Sequence, residues 1–415
     1  MAAAVAALDL NVVDWNAKYQ AVLDADERGF EAAIAKGVTL AAFYGRFMAC
    51  AAEAAAAIVE ELGLPAGLKT LPPMAAGGDA ATDAVYYFKG MLLRVAEAGC
   101  GAGDAAGGMD AFVHAAGSVA ATARKVAAHE LRGLAALHAA SVAAGREGEG
   151  SGPAPPPLST VMSVLVDYGG FRVYAMAAPP TDDARTLVYG TSDDGGPFVQ
   201  RSTAAAAALR RVGRLLHLKP HAVEAVVAGA GGVPTPRTLV IPLSVELQAH
   251  ECADGRTYVL NAGRLLPADL PDAADALSTL TATLRPELVA RLDRPLSSDA
   301  FRSSASGAAF SIGAPPDAAS NDVDAAKASQ YLLTTVVPRF VAGLEAAPVG
   351  VYDSATLTRA LHAAGINARY LGRVAAQASA PWLRELCEVE MVARVLKHVL
   401  ARSQRTLVRQ VADAT

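Results

Sequence analysis

The chain has 415 residues, 53% hydrophobic and 19% charged, with 36 basic and 41 acidic side chains and a formal net charge of −5. That length serves two or three domains with sizeable cores, and the balance excludes global disorder and an overall electropositive footprint for nucleic acid. Cys50, Cys100, Cys252 and Cys387 lie far apart with no CxxC pair, which argues against a zinc ribbon or a disulfide framework and fits a reducing compartment.

The first residues carry no basic leader before Asp9, and no charge-free run of eighteen strongly apolar residues follows, so a soluble protein without transmembrane insertion is expected. From Ala17 to Leu62 alanine and long side chains predict helix, with Ile34, Leu40, Phe43, Phe47 and Ile58 as an apolar stripe, stopped by Gly63-Leu64-Pro65. Val85–Val95 reads as a strand, Cys100–Gly108 as a glycine-rich turn, Asp110 to about Ala144 as a long helix and Arg146–Pro157 as a loop. Strands follow around Thr160–Val166, Phe171–Ala177 and Leu187–Gly190, then a helix at Thr203–Leu216 and a strand at Thr238–Leu243. Ser297–Asp324 reads as a long surface loop, and Gln330–Ala347, Ser354–Ala364 and Trp382–Val411 as helices.

Val245–Pro267 is the most informative stretch. Its pattern predicts a strand, a polar turn ending in Asp254-Gly255-Arg256, a strand over Thr257–Leu260 and an Asn-Ala-Gly-Arg exit. Polar groups at such strand ends are presented on a rigid support, where function often sits. Gly255 is expected to accept angles other residues resist, with Arg256 and Arg264 bracing the hairpin or facing an anionic partner.

Reactive motifs are incomplete. Gly101, Gly103, Gly107 and Gly108 make neither GxGxxG nor GxxxxGK[ST], His129-Glu130 lacks the second histidine of HExxH, and no GxSxG occurs. Lys89 in a strand and Glu130 in a helix suggest the ion pair that positions phosphates in kinase-like folds, with His250 and Asn261 across a nucleotide cleft. Asn261 is neutral where a magnesium-binding carboxylate would serve best. No metal ligand set, cofactor or catalytic residue is indicated. The C-terminal helix is basic through Arg394, Lys397, Arg402, Arg405 and Arg409, with acids near its start at Glu385, Glu388 and Glu390. These five basic side chains are candidate contacts for an RNA backbone.

Taken in order, Asp14-Trp15-Asn16, AAHELRGL at Ala127–Leu134, VDYGGFRVYA at Val166–Ala175, TLVYGTSDDGG at Thr186–Gly196 and LHLKPH at Leu216–His221 resemble the clustered-mitochondria (Clu-domain) family. AHECADGRTYVLNAGRLLP at Ala249–Pro267, RPEL at Arg285–Leu288, PLSSDAF at Pro295–Phe301, LLTTVVPRFV at Leu332–Val341 and HAAGINARYLGRV at His362–Val374 continue the series. The resemblance implies a cytoplasmic, non-catalytic protein in mitochondrial distribution, with mRNA, ribosome-associated proteins or a mitochondrial surface protein as partners. It marks Asp167, Asp254, Gly255, Arg256 and Arg264 as family-motif positions. It departs at Glu246, Gln248 and Ala249 before His250, where relatives have Asp-x-Glu-Gly-His, and at Asn261, where they have Asp. The family's N-terminal domain and tetratricopeptide repeats are not recognisable here.

The expected architecture is α+β: a mixed sheet-and-helix Clu domain over 1–295, a linker or surface loop at 296–324 and an all-helical domain over 325–415. A distant kinase-like two-lobe arrangement, with a lipid or small-molecule phosphotransferase activity or an inactive relative of one, is the alternative.

Overall fold

In the computed structural model, the described residues are 13–25, 28–74, 85–96, 119–146, 157–191, 198–228, 234–271, 278–301, 316–347 and 350–414. The glycine-rich turn at Cys100–Gly108, most of the Arg146–Pro157 loop and the start of the Asp110 helix lie outside them.

In chain order the helices are α1 (Trp15–Asp24), α2 (Phe30–Glu60), α3 (Val119–Arg146), α4 (Thr203–Leu215), α5 (Ala318–Tyr331), α6 (Val337–Ala346), α7 (Ser354–Ala363), α8 (Leu371–Gln377) and α9 (Pro381–Ala414). The strands are β1 (Val85–Phe88), β2 (Met91–Val95), β3 (Leu158–Thr160), β4 (Ser163–Tyr168), β5 (Phe171–Ala177), β6 (Leu187–Gly190), β7 (Val199–Gln200), β8 (His221–Ala228), β9 (Pro234–Ile241), β10 (Gln248–Glu251) and β11 (Thr257–Leu260). The chain divides into two compact units, neither contiguous in sequence. The first comprises Met1–Ala205, Glu246–Gly263 and Ala401–Thr415, the second Ala206–Val245 and Arg264–Leu400. The compact units therefore do not part at residue 295, because the β10–β11 hairpin and the end of α9 both pack into the first.

That first unit holds two sheets. One is antiparallel in the order β1-β2-β5-β4, the other is mixed in the order β3-β11-β10-β6-β7, with β3 parallel to β11. The core on the antiparallel sheet gathers Phe47, Ile58 and Val59 from α2 with Tyr86, Met91, Leu93, Phe171 and Val173. Trp15 closes one end, its ring 5.3 Å from Phe47 in an edge-on contact. The α3 helix is tied to β3 by Ser141, whose hydroxyl donates to the Leu158 carbonyl and accepts from the Leu158 amide, both at 2.9 Å.

Three sequence expectations need correction. Ala17–Leu62 is not one helix: α1 ends at Asp24, and α2 starts after Gly29, whose φ of 93° breaks helical geometry. Val85–Val95 is a hairpin rather than a strand, since Lys89 (φ 45°) and Gly90 (φ 84°) form a two-residue turn with Phe88 opposite Met91. Finally, 296–324 is not a loop throughout. Leu296, Ser297, Ser298 and Phe301 are buried, and α5 begins at Ala318.

In the second unit β8 pairs with β9 along eight residues, and the rest is mainly helical. A π-helical segment, Leu332–Val336, joins α5 to α6. Pro338, at the start of α6, has no amide proton for a regular helical bond, and the wider segment accommodates it. Among the described residues α2 is long and apolar enough by length and composition to cross a membrane, although its second half contributes to the core. The sheet and helix content is the expected α+β. Nothing in the strand order points to a kinase-like lobe.

Candidate functional site around the central hairpin

The β10–β11 hairpin forms as expected, with Glu251 opposite Thr257. Its loop is closed by the Gly255 amide on the Cys252 carbonyl and the Cys252 amide on the Arg256 carbonyl, both 3.0 Å. Gly255 has φ 78°, the left-handed conformation its position demands. Asp254 accepts the Arg256 amide at 3.1 Å on one oxygen and the Tyr258 hydroxyl at 2.7 Å on the other. Asn16 in α1 donates to the same Tyr258 hydroxyl at 2.8 Å. Arg256 pairs with Asp24, so its role here is bracing.

On the far side of the hairpin, Glu130 of α3 accepts the Ala262 amide at 2.9 Å, with the amides of Gly263 and Asn261 also turned to its carboxylate. Burial pushes this carboxyl up to about 7, against the pull of those three amides, and Glu246 adds to the rise. One turn on, Gly133 lets the chain close: a Cβ there would lie 2.0 Å from the Ala262 carbonyl oxygen. Asn261 itself has φ 59°, a conformation for which Asn and Asp are the favoured non-glycine residues. Asn and Asp suit this backbone kink alike.

His250 is fully buried with Nδ1 3.0 Å from the Thr186 hydroxyl. Thr186 already donates to the Asp182 carbonyl at 2.8 Å, so His250 Nδ1 carries the proton and donates to it. Tyr174, buried near Glu130, has its ionisation pushed far up by burial and by that carboxylate.

The residues of the alternative nucleotide cleft are divided. Glu130, His250 and Asn261 belong to the hairpin and its supports. Lys89, expected in a strand, sits in the β1–β2 turn and pairs with Glu53 at 3.3 Å, while its carbonyl accepts the Trp15 indole at 2.7 Å. The Lys89–Glu130 pair does not form because Glu130 is taken by main-chain amides. Among the described residues, no group of three or more His, Cys, Asp and Glu is placed to hold a metal ion.

The other family-motif positions are braces as well. Asp167 holds Arg172 through two bonds, 2.7 and 2.9 Å, and Arg172 reaches the Arg124 carbonyl at 3.0 Å. Of the basic residues on α9, Arg405 donates to the Gly170 carbonyl, Arg409 lies 5.8 Å over the Phe171 ring, and Arg394 pairs with Glu390 at 2.6 Å. Lys397 and Arg402 are exposed.

In the second unit Arg264 is buried, and two distant motifs meet. His221 of LHLKPH bonds Asp299 of PLSSDAF at 2.8 Å, and Asp299 also accepts the Ser244 hydroxyl and the Val245 amide at 3.0 Å each. Burial lowers the His221 imidazole's affinity for its proton, but the bond to and charge of Asp299 outweigh it and leave the group raised. Asp269 likewise binds Arg369 and Tyr370. The sequence reading missed Thr186, Tyr258 and the His221–Asp299 pair. The signal for them was the recurrence of polar residues inside apolar motifs, where each must find a buried partner.

Fold and site together define an α+β protein whose motif residues are committed to one another. The chain belongs to the clustered mitochondria family: the family model described as "Clustered mitochondria" matches residues 14–271. A second model, described as translation initiation factor eIF3 subunit 135, matches 349–415. The clustered mitochondria protein of Arabidopsis thaliana is 25% identical over 333 residues, covering 62% of this chain and 23% of that protein. The homologue in Yarrowia lipolytica is 26% identical over 279 residues, 59% of this chain and 22% of its own length. The homologue in Dictyostelium discoideum is 36% identical over 98 residues, 23% of this chain and 7% of its own. The chain thus spans under a quarter of the length of these relatives. No solved structure matches.

Proposed function

We propose that this chain is a non-catalytic Clu-type protein that acts in mitochondrial distribution from the cytoplasm, meeting a protein on the mitochondrial surface and the translation apparatus or its mRNA. The observation that carries the reading is the family match over residues 14–271. The geometry supports a binding role: Glu130, Asp167, Asp254, Arg256 and His250 hold the fold together instead of converging on an open reactive centre. The phosphotransferase alternative loses the ion pair that motivated it, since Lys89 binds Glu53. The test is rescue. In cells whose mitochondria collapse into clusters when the resident family member is deleted, expression of this chain is expected to restore their spread. A folded, expressed chain that leaves them clustered would overturn the reading.

Association with translation rests on the match of 349–415 to the initiation-factor model. For RNA, Lys397 and Arg402 are the contacts proposed, on the exposure of both side chains. Such backbone contacts are salt-sensitive and blind to sequence. Lys397→Glu with Arg402→Glu is expected to weaken binding of a single-stranded RNA about tenfold at low salt. Unchanged affinity in the folded variant would remove RNA from the proposal.

A further inference from the structure

The α9 helix carries an apolar face that is exposed among the described residues. Val389, Val392, Leu396 and Val399 are 60, 57, 55 and 54% exposed, and Val395 and Leu400 beside them are 59 and 63%. Their spacing of three, four and three residues is that of a two-stranded seam, and at 100° per residue the six span an arc of roughly 140°. The opposite face is the one that packs inward, through Leu383, Cys387 and Glu390. Together the six leave roughly 500 Å² of apolar surface, within the range of the largest patch on an ordinary monomer, which is often functional.

Charge along the same face specifies the occupant. Glu385 and Glu388, exposed, precede the stripe, and Arg402, exposed, follows it. A parallel partner helix of the same sequence would set like charges side by side. An antiparallel one sets Glu388 alongside Arg402 of the second copy at both ends of the seam, and puts Val389 against Val399 and Val392 against Leu396. We infer that this face of α9 pairs with the same face of a second copy of this chain, antiparallel about a two-fold axis. Such an interface is self-complementary by symmetry, and two copies cover about 1,000 Å², at the low end for a specific contact. The pair is therefore a reversible dimer in the micromolar range.

Sedimentation velocity on the full chain from about 1 to 100 µM tests this. The wild type is expected to pass from monomer to dimer across that range. Leu396→Glu with Val399→Glu, both at exposed positions, is expected to raise the dissociation constant at least about tenfold, with the circular dichroism spectrum and melting point unchanged. Glu388→Arg and Arg402→Glu each weaken the dimer, and the two together restore it. A chain that stays monomeric throughout overturns the inference, even if α9 captures a helix of another protein. So does a dimer indifferent to the Leu396 and Val399 changes, or one that the double charge reversal fails to restore.

Discussion

Gly133 and Gly255 both lie in family motifs, yet the backbone needs them for different reasons. At Gly255 the space is open and only the φ of 78° resists a side chain. Gly255→Ala should therefore cost the left-handed penalty alone, about 1–2 kcal/mol. Within α3, Gly133 meets a wall: the added carbon falls 2.0 Å from the Ala262 oxygen and 2.8 Å from its carbonyl carbon. Alanine gains about 1 kcal/mol of helix propensity there, but forcing two backbones apart costs on the order of 3 kcal/mol or more. The overpacking wins, and Gly133→Ala is expected to be the more damaging change by urea midpoint. The reverse order would show that α3 does not grip the hairpin exit as described. Only Gly255 was legible in the sequence, because a turn announces its glycine locally while the close approach at Gly133 depends on a partner 129 positions away.

Glu130 carries the residue-scale prediction on pH. Its folded value of about 7 stands above the ordinary 4.5, so between those values the native state holds a proton that the unfolded state has released. Stability is fully present below about pH 4.5 and falls as pH rises toward 7, by at most on the order of 3 kcal/mol. Glu130→Gln has nothing to titrate. Across melts at pH 5 and pH 8, the wild type should lose stability relative to this variant. Parallel pH profiles would mean that the carboxylate is hydrated in solution.

Among elements, strands with alternating or β-branched residues were legible where a marked turn bounded them. Phe171–Ala177 and Leu187–Gly190 fall where expected, and so does the hairpin at Asp254-Gly255. The β1–β2 hairpin was missed because Lys89-Gly90 is a weak turn signal inside a run of strand formers. The β8 strand was missed because its buried anchor is distant in sequence, although its partner β9 is the next strand. That anchor is the His221–Asp299 bond, legible only as two unconnected motifs. Asp299→Ala would strand a buried imidazole, a hydroxyl and an amide at once, at an expected cost of about 3 kcal/mol. The raised His221 supplies stability that is present below its ordinary value near 6.5 and is lost as pH climbs through the folded value. The variant should lack that decline above neutrality. If instead it shows the wild-type profile, the ion pair does not form in solution. The apolar seam on α9 was in plain view as Val389, Val392, Leu396 and Val399, but the run of arginines around it invited a purely electrostatic reading.

For the whole molecule, sequence order is a poor guide to what folds with what. The final fifteen residues, Ala401–Thr415, belong to the first unit, where Val408 packs on the core, Arg405 binds the Gly170 carbonyl and Arg409 covers Phe171. Ala401 and Ala412 approach Gly170 and Gly63 so closely that a Cβ at either glycine would clash with backbone, at 2.2 and 2.5 Å. Removing this segment uncovers apolar surface on α2 and the β4–β5 turn, and leaves a carbonyl without its charged donor. A chain ending at Leu400 is thus expected to melt several degrees lower, whereas Leu407→Asp, at a position 61% exposed, should leave the melting point in place. The division suggested by sequence makes the opposite prediction, that residues 1–295 fold unaided. That fragment lacks Ala401–Thr415, and it carries Ala206–Val245 and the chain from Arg264 onward without the helices they pack with in the second unit. It should show a broad, non-cooperative transition in urea with a reduced slope. A sharp transition at the wild-type midpoint would return the boundary to residue 295.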